Sequence, residues 1–229
     1  MRIGGFQSFS LSEFPGRIAA VVFCQGCNFR CPYCHNPELV DPGRYAPLWP
    51  EEKVLGELEA RRGRLQGVVI TGGEPVLQED LEPFIRKVRS LGFEVKLDTN
   101  GSSPDVLERL LGAGLLNHVG LDVKAPLSKY SAVTRADSSP ETITRSISTV
   151  LAAGVDHEFR TTWLPSLLSK ADLLEIAMMV RGCRRWVVQR FVSSKALDPA
   201  LLGEPSPGDA ALAEVKETAE KLGIDCLVR

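Results

Sequence analysis

Residues 18–35 read Ile18-Ala19-Ala20-Val21-Val22-Phe23-Cys24-Gln25-Gly26-Cys27-Asn28-Phe29-Arg30-Cys31-Pro32-Tyr33-Cys34-His35, an unbroken apolar run that opens into a cysteine-rich loop. A short run with no polar position marks a strand buried on both faces, as in a parallel sheet covered by helices. The same grammar recurs downstream. It predicts strands at 67–71, 93–97, 118–123, 158–163 and 185–191, with a short terminal strand at 224–228. Helical periodicity falls between them, at 51–62, 80–90, 104–111, 140–153, around 171–180 and at 210–222. Punctuation agrees: Ser103 and Pro104 suit an N-cap and a first helical position, and Gly154 suits a helix end.

Six or so strand–helix units in series imply a parallel sheet with helices outside it. Eight units would need about 250 residues, so the 229-residue chain predicts an α/β fold, a partial (β/α)6 TIM-like barrel of mostly parallel strands. The Pro- and Gly-rich stretch 197–208 reads as a loop, which leaves one domain over 1–229.

A formal net charge of −2 gives no electrostatic reason to expect nucleic acid or an anionic membrane. Residues 1–14 lack the basic and apolar regions of a signal peptide, and the run 18–24 is too short to cross a bilayer. The expectation is a cytoplasmic protein, where clustered cysteines mean metal or redox work rather than a disulfide framework.

Four of the six cysteines lie within residues 24–34, and Cys27, Cys31 and Cys34 have the spacing C-x3-C-x2-C. Three thiolates on one short loop hold three irons of a [4Fe–4S] cube and leave the fourth open for a ligand. A zinc knuckle from Cys24-x2-Cys27 and Cys31-x2-Cys34 is the first rival, but three intervening residues make a much shorter gap than zinc ribbons use. Cys31-Pro32-Tyr33-Cys34-His35 also matches the c-type haem attachment pattern, which normally accompanies export. Cys24 reads as a spectator thiol beside the cluster. Cys183 and Cys226 read as buried apolar cysteines. The role of His35 stays open.

Each further polar motif ends a predicted strand: Thr71-Gly72-Gly73-Glu74-Pro75, Asp98-Thr99-Asn100-Gly101, Asp122-Val123-Lys124 and Arg160-Thr161-Thr162. In parallel α/β barrels those ends build the active site.

Together these motifs resemble the radical S-adenosylmethionine (SAM) superfamily, over nearly the whole chain. Tyr33, directly before Cys34, is the aromatic typical of it. The resemblance implies that SAM chelates the open iron and is reductively cleaved to methionine and a 5′-deoxyadenosyl radical. It also implies that Tyr33, Gly72, Gly73, Glu74, Asp98, Asn100, Lys124 and Arg160 lie at the cofactor. Gly72-Gly73-Glu74 would face the SAM amino end, and two glycines permit close backbone approach.

Within the superfamily, residues 4–10 and 13–17 and the string Cys31-Pro32-Tyr33-Cys34-His35-Asn36-Pro37 are similar to the glycyl-radical-enzyme activating branch. Members of that branch act on partners such as anaerobic ribonucleotide reductase or pyruvate formate-lyase. That resemblance implies a protein substrate and an electron donor such as flavodoxin or ferredoxin. It also implies a monovalent cation held by Asp98, Thr99 and Asp122 against the SAM carboxylate. The branch's later histidine near SAM has no counterpart, since Gln189-Arg190-Phe191 stands at that strand end. Two alternatives remain open: a radical SAM enzyme acting on a small molecule, like the carboxydeazaguanine synthases, and a non-catalytic iron–sulfur electron carrier.

Overall fold

The computed structural model describes all 229 residues, Met1–Arg229. Its backbone groups into two compact units, Met1–Asn28 with Glu38–Thr99 and Asp105–Val119, and Phe29–Pro37 with Asn100–Pro104 and Gly120–Arg229.

The first unit opens with β1 (Ile3–Ser10), antiparallel to β2 (Ala19–Cys24). Residues 3–10 hold two glycines and little apolar alternation, which is why the sequence did not mark them as a strand. Gly4 is needed for packing, since a Cβ there would sit 2.6 Å from Leu39 Cδ2 on the short helix α1 (Pro37–Val40). Helix α2 (Glu51–Glu59) leads to β3 (Gly67–Gly72), α3 (Leu81–Ser90), β4 (Glu94–Thr99) and α4 (Pro104–Gly112).

Strands β2, β3 and β4 are parallel, with Cys24 opposite Gly72 and Ile70 opposite Leu97. Their C-terminal ends therefore share one edge of the unit. Ala19 to Val22 are wholly buried, as the apolar run requires. Helix α3 covers the sheet with Leu81, Phe84, Ile85 and Val88, spaced i, i+3, i+4, i+7. Helix α2 stops three residues before the predicted end.

Strand β5 (His118–Asp122) carries residues of both units. The second unit continues through α5 (Tyr130–Thr134), α6 (Pro140–Ala152), β6 (Asp156–Trp163), α7 (Lys170–Met179), β7 (Trp186–Arg190), α8 (Asp209–Lys221) and β8 (Cys226–Val228). Pro140 takes the first turn of α6, which buries Ile143, Ser146, Ile147 and Val150. Ser169 and Asp172 close a capping box on α7. Strands β6, β7 and β8 are parallel, with Thr162 opposite Gln189 and Val188 opposite Val228. Period-2 alternation sends Phe159, Thr161 and Trp163 to one face of β6, and Glu158, Arg160 and Thr162 to the other.

Candidate active site

In the first unit the Gly-Gly-Glu triplet clamps the cysteine loop. Gly73 N–H donates to the Cys24 carbonyl at 2.8 Å, and Glu74 N–H donates to that of Gly26 at 2.7 Å. A Cβ on Gly73 would lie 2.1 Å from the Gly26 oxygen. Gly72 has φ +114°, and a Cβ there would come within 2.5 Å of Cys24 N. The glycines thus allow a close approach, but to the chain itself, immediately upstream of Cys27. The Glu74 side chain is buried: its Oε1 accepts from Val76 N–H at 3.1 Å and from the Thr99 hydroxyl at 2.7 Å. Burial, then the Glu74 charge, pushes the Cys24 thiol well above its usual pKa.

Asp98 and Thr99 point to opposite faces of β4, as neighbours on a strand must. Asp98 meets Lys96 Nζ at 2.9 Å, both side chains almost fully buried. The same ammonium donates to the Glu13 carbonyl at 2.8 Å. Lys96 was missed by motif reading, although a lysine two residues from an aspartate inside an otherwise apolar strand was its signal. The string Asp98-Thr99-Asn100-Gly101 divides between the units. Asn100, in the second, accepts from Ser102 N–H at 2.9 Å, and the Gly101 carbonyl accepts from the Ser146 hydroxyl at 2.7 Å.

The second unit gathers Cys31, Tyr33, Cys34, Asp122, Lys124 and Arg160. Arg30 N–H donates to the Thr134 carbonyl at 2.8 Å, and the Pro32 carbonyl accepts from Asp198 N–H at 2.9 Å, which pins the loop on two sides. Cys34 N–H turns back to the Cys31 carbonyl at 3.0 Å. Asp122 divides its carboxylate, with Oδ1 2.8 Å from Arg160 Nε and Oδ2 3.1 Å from Lys124 Nζ. Burial alone would raise the Asp122 pKa, but Arg160 and Lys124 reverse this and hold it at about 2. Burial likewise opposes charge on Lys124, and Asp122 outweighs it, keeping the ammonium protonated.

Tyr130, which carries no motif and was not foreseen, donates its hydroxyl to the Asp122 carbonyl at 3.3 Å. Its ring meets Phe29 edge-on, the centroids 6.3 Å apart.

All six cysteines are free thiols. Burial pushes the Cys31 thiol up to about 11, with Lys124 drawing it the other way. The Tyr33 hydroxyl is buried with no nitrogen or oxygen partner, beside the Cys31 thiol and in the field of Lys124. A buried hydroxyl and a cation beside a cysteine fit a bound anionic group there. No three His, Cys, Asp or Glu side chains gather closely enough for a single metal ion. A four-iron cube sets a different requirement, because each cysteine takes a different iron.

A family model, the radical SAM superfamily, matches residues 21–180. The chain belongs to the radical SAM superfamily. That family implies a [4Fe–4S] cluster and SAM, and makes the radical SAM chain an enzyme rather than an electron carrier. Over 99% of its length it is 30% identical to a protein of Methanocaldococcus jannaschii that carries the name of a glycyl-radical enzyme activating enzyme, covering 95% of that relative. It is 36% identical to the pyruvate formate-lyase-activating enzyme of Clostridium pasteurianum, over 48% of each chain. It is also 36% identical to the 7-carboxy-7-deazaguanine synthase of Methanopyrus kandleri, over 50% of this chain and 52% of that one.

Among solved structures, coproporphyrinogen III oxidase (HemN) from Escherichia coli aligns with TM-score 0.61 at 14% identity, over 93% of this chain and 54% of its own. The chain thus spans about half the length of HemN and of the latter two relatives. The structural likeness shows the fold alone, and that fold is the expected α/β radical SAM core of mostly parallel strands, the partial-barrel class. No helix is long and apolar enough to cross a membrane.

Proposed function

We propose that this radical SAM enzyme is an activase that generates a glycyl radical on a partner enzyme. The supporting observation is one of extent. Likeness to the activating enzyme of M. jannaschii runs through 99% of the chain, whereas likeness to the carboxydeazaguanine synthase covers half. In this reading Cys27, Cys31 and Cys34 hold the [4Fe–4S] cluster. When bound, cluster and SAM supply a reductive C–S cleavage that gives methionine and a 5′-deoxyadenosyl radical. The hydrogen removed is one on a glycine Cα of the partner.

The protein's own contribution is binding and charge. The N–H groups of Gly73 and Glu74 are already taken by Cys24 and Gly26, so carbonyl oxygens are what the Gly72-Gly73-Glu74 turn has to offer the SAM ammonium. Lys124 and Arg160 supply positive charge for the SAM carboxylate. Tyr33 and Asn100 complete the cofactor set. Asp98, Thr99 and Asp122 are the candidates for a monovalent cation, in competition with Lys96, Lys124 and Arg160, which already pair with the two carboxylates. A flavodoxin or ferredoxin would deliver the electron.

Anaerobic incubation of reconstituted enzyme with SAM, reductant and a candidate glycyl-radical enzyme tests this. A glycyl doublet in electron paramagnetic resonance is the expected result. Abundant 5′-deoxyadenosine with no doublet on any candidate, and turnover on a small molecule instead, would favour the synthase-like reading.

A further inference from the structure

We propose that Lys96 is a positioning residue, its buried ammonium fixing the Asp98 carboxylate at the end of β4 in the place a free monovalent cation would otherwise take. The proposal rests on the reading above in one respect, that Asp98 belongs to the SAM site. Glu94, Lys96 and Asp98 share one face of β4, as residues two apart on a strand must. Along that row the side chains are 36%, 2% and 4% exposed, so the row runs from solvent into the interior.

The loop between β1 and β2 is fastened to the first two members of the row. Arg17 Nε donates to Glu94 Oε2 at 3.0 Å, and Lys96 Nζ donates to the Glu13 carbonyl at 2.8 Å. Between these anchors the Phe14 ring is seated in the core with Ala19, Val21 and Val69. Val69 is the partner of Lys96 in register. Gly67 makes room for the ring, since a Cβ there would lie 2.7 Å from Phe14 Cδ1 and Cε1. The Glu13 carbonyl is thus held in place by a buried neighbour.

The ammonium therefore sits between two placed oxygens, that carbonyl at 2.8 Å and Asp98 Oδ1 at 2.9 Å. Carbonyl and carboxylate oxygens are also what a free monovalent cation takes. A cation carried on the chain surrenders no translational freedom on reaching them, which a free ion must. Stability alone does not call for the pair, because apolar residues of similar volume often replace a buried ion pair at no loss. What the pair adds is a carboxylate fixed in position at the strand end.

Calorimetric titration of SAM into the reconstituted protein tests this, in potassium chloride and in tetramethylammonium chloride of equal ionic strength. The parent is expected to bind SAM within two-fold in the two salts. Lys96→Met keeps most of the stem and removes the charge. It is expected to bind SAM about ten-fold or more weakly in tetramethylammonium, and to recover to within a few-fold of the parent in potassium or ammonium chloride. Melting of the same reconstituted samples before SAM is added gives a second readout. Lys96→Met should fall about 6–20 °C below the parent in tetramethylammonium and less in potassium. Lys96→Met/Asp98→Asn removes both partners, so it should melt above Lys96→Met and show no potassium response in either readout.

A parent that needs potassium, a Lys96→Met protein with parental SAM affinity in tetramethylammonium, or a loss that neither potassium nor ammonium restores would overturn the proposal. So would a potassium response that persists in the double variant, which keeps the test open where Lys96→Met does not fold. Parental SAM affinity in the double variant would remove Asp98 from the SAM site, and the proposal with it, while leaving the activase reading untouched. A missing glycyl doublet with these salt effects intact would sink the activase reading and leave Lys96 in its role.

Discussion

Replacing Gly73 by alanine puts the clamp on the cysteine loop to the test. A Cβ at that position would lie 2.1 Å from the Gly26 carbonyl oxygen, a backbone atom that no rotamer can move aside. Ordinary contact begins more than 1 Å further out, so the two backbone segments must separate. Separation breaks the bonds from Gly73 N–H to Cys24 and from Glu74 N–H to Gly26. Each is worth about 0.5–1.5 kcal/mol net, and a group left buried and unpaired costs about 1–3 kcal/mol.

The expected loss is therefore about 2–4 kcal/mol. At about 2–4 °C per kcal/mol for a chain of this size, Tm falls by about 4–16 °C. Iron retained after anaerobic reconstitution falls with it, because the segment that moves leads straight into Cys27. Gly56→Ala is the matched control. Gly56 lies exposed in α2 with nothing within 4 Å of an added Cβ, so the change should stabilise by about 0.5–1 kcal/mol. Differential scanning calorimetry with iron analysis measures both. A Gly73→Ala protein with parental Tm and iron content would show that the two backbones do not meet as described.

Cys27→Ala, Cys31→Ala and Cys34→Ala should each lose a stable cube by iron and sulfide analysis, whereas Cys24→Ala should keep it; retained iron and SAM cleavage in Cys34→Ala would overturn the ligand set. Replacing potassium by tetramethylammonium at constant ionic strength should change SAM affinity less than two-fold if Lys96, Lys124 and Arg160 satisfy Asp98 and Asp122, and a ten-fold loss would restore the monovalent cation to the site. Asp172 takes Lys129 and the α7 N-cap, and although burial raises its pKa these partners lower it on balance. Its contribution, about 1 kcal/mol for the cap, is present above the usual carboxylate range and lost as pH falls below it; urea midpoints of Asp172→Asn and parent should converge in acid, and a gap unchanged with pH would contradict this.

Much of the framework was legible because burial leaves a trace in residue order. The run Ile18 to Phe23 reads as a two-sided buried strand, Pro104 opens its helix at the first position, and Gly154 follows the end of its own with φ +70°. The first strand escaped because Gly4 and Gly5 serve packing against Leu39 and Phe23 rather than propensity. At the site, spacing marked the cysteines and the strand-end motifs. What it could not show is which partner each polar atom takes. The Gly-Gly turn reads as a ligand cradle in sequence and proves to grip its own chain. Asp98 reads as a ligand and holds Lys96, a pairing set by strand geometry. Tyr130 is visible only once folding brings it to Asp122.

The decisive measurement is the electron paramagnetic resonance spectrum of the anaerobically reconstituted, reduced protein before and after SAM is added, with 5′-deoxyadenosine quantified in the same sample. A three-cysteine cube with an open iron predicts a [4Fe–4S]+ signal that changes shape on SAM addition, followed by 5′-deoxyadenosine. A signal indifferent to SAM with no 5′-deoxyadenosine, or protein that holds zinc in place of the cube, would contradict it.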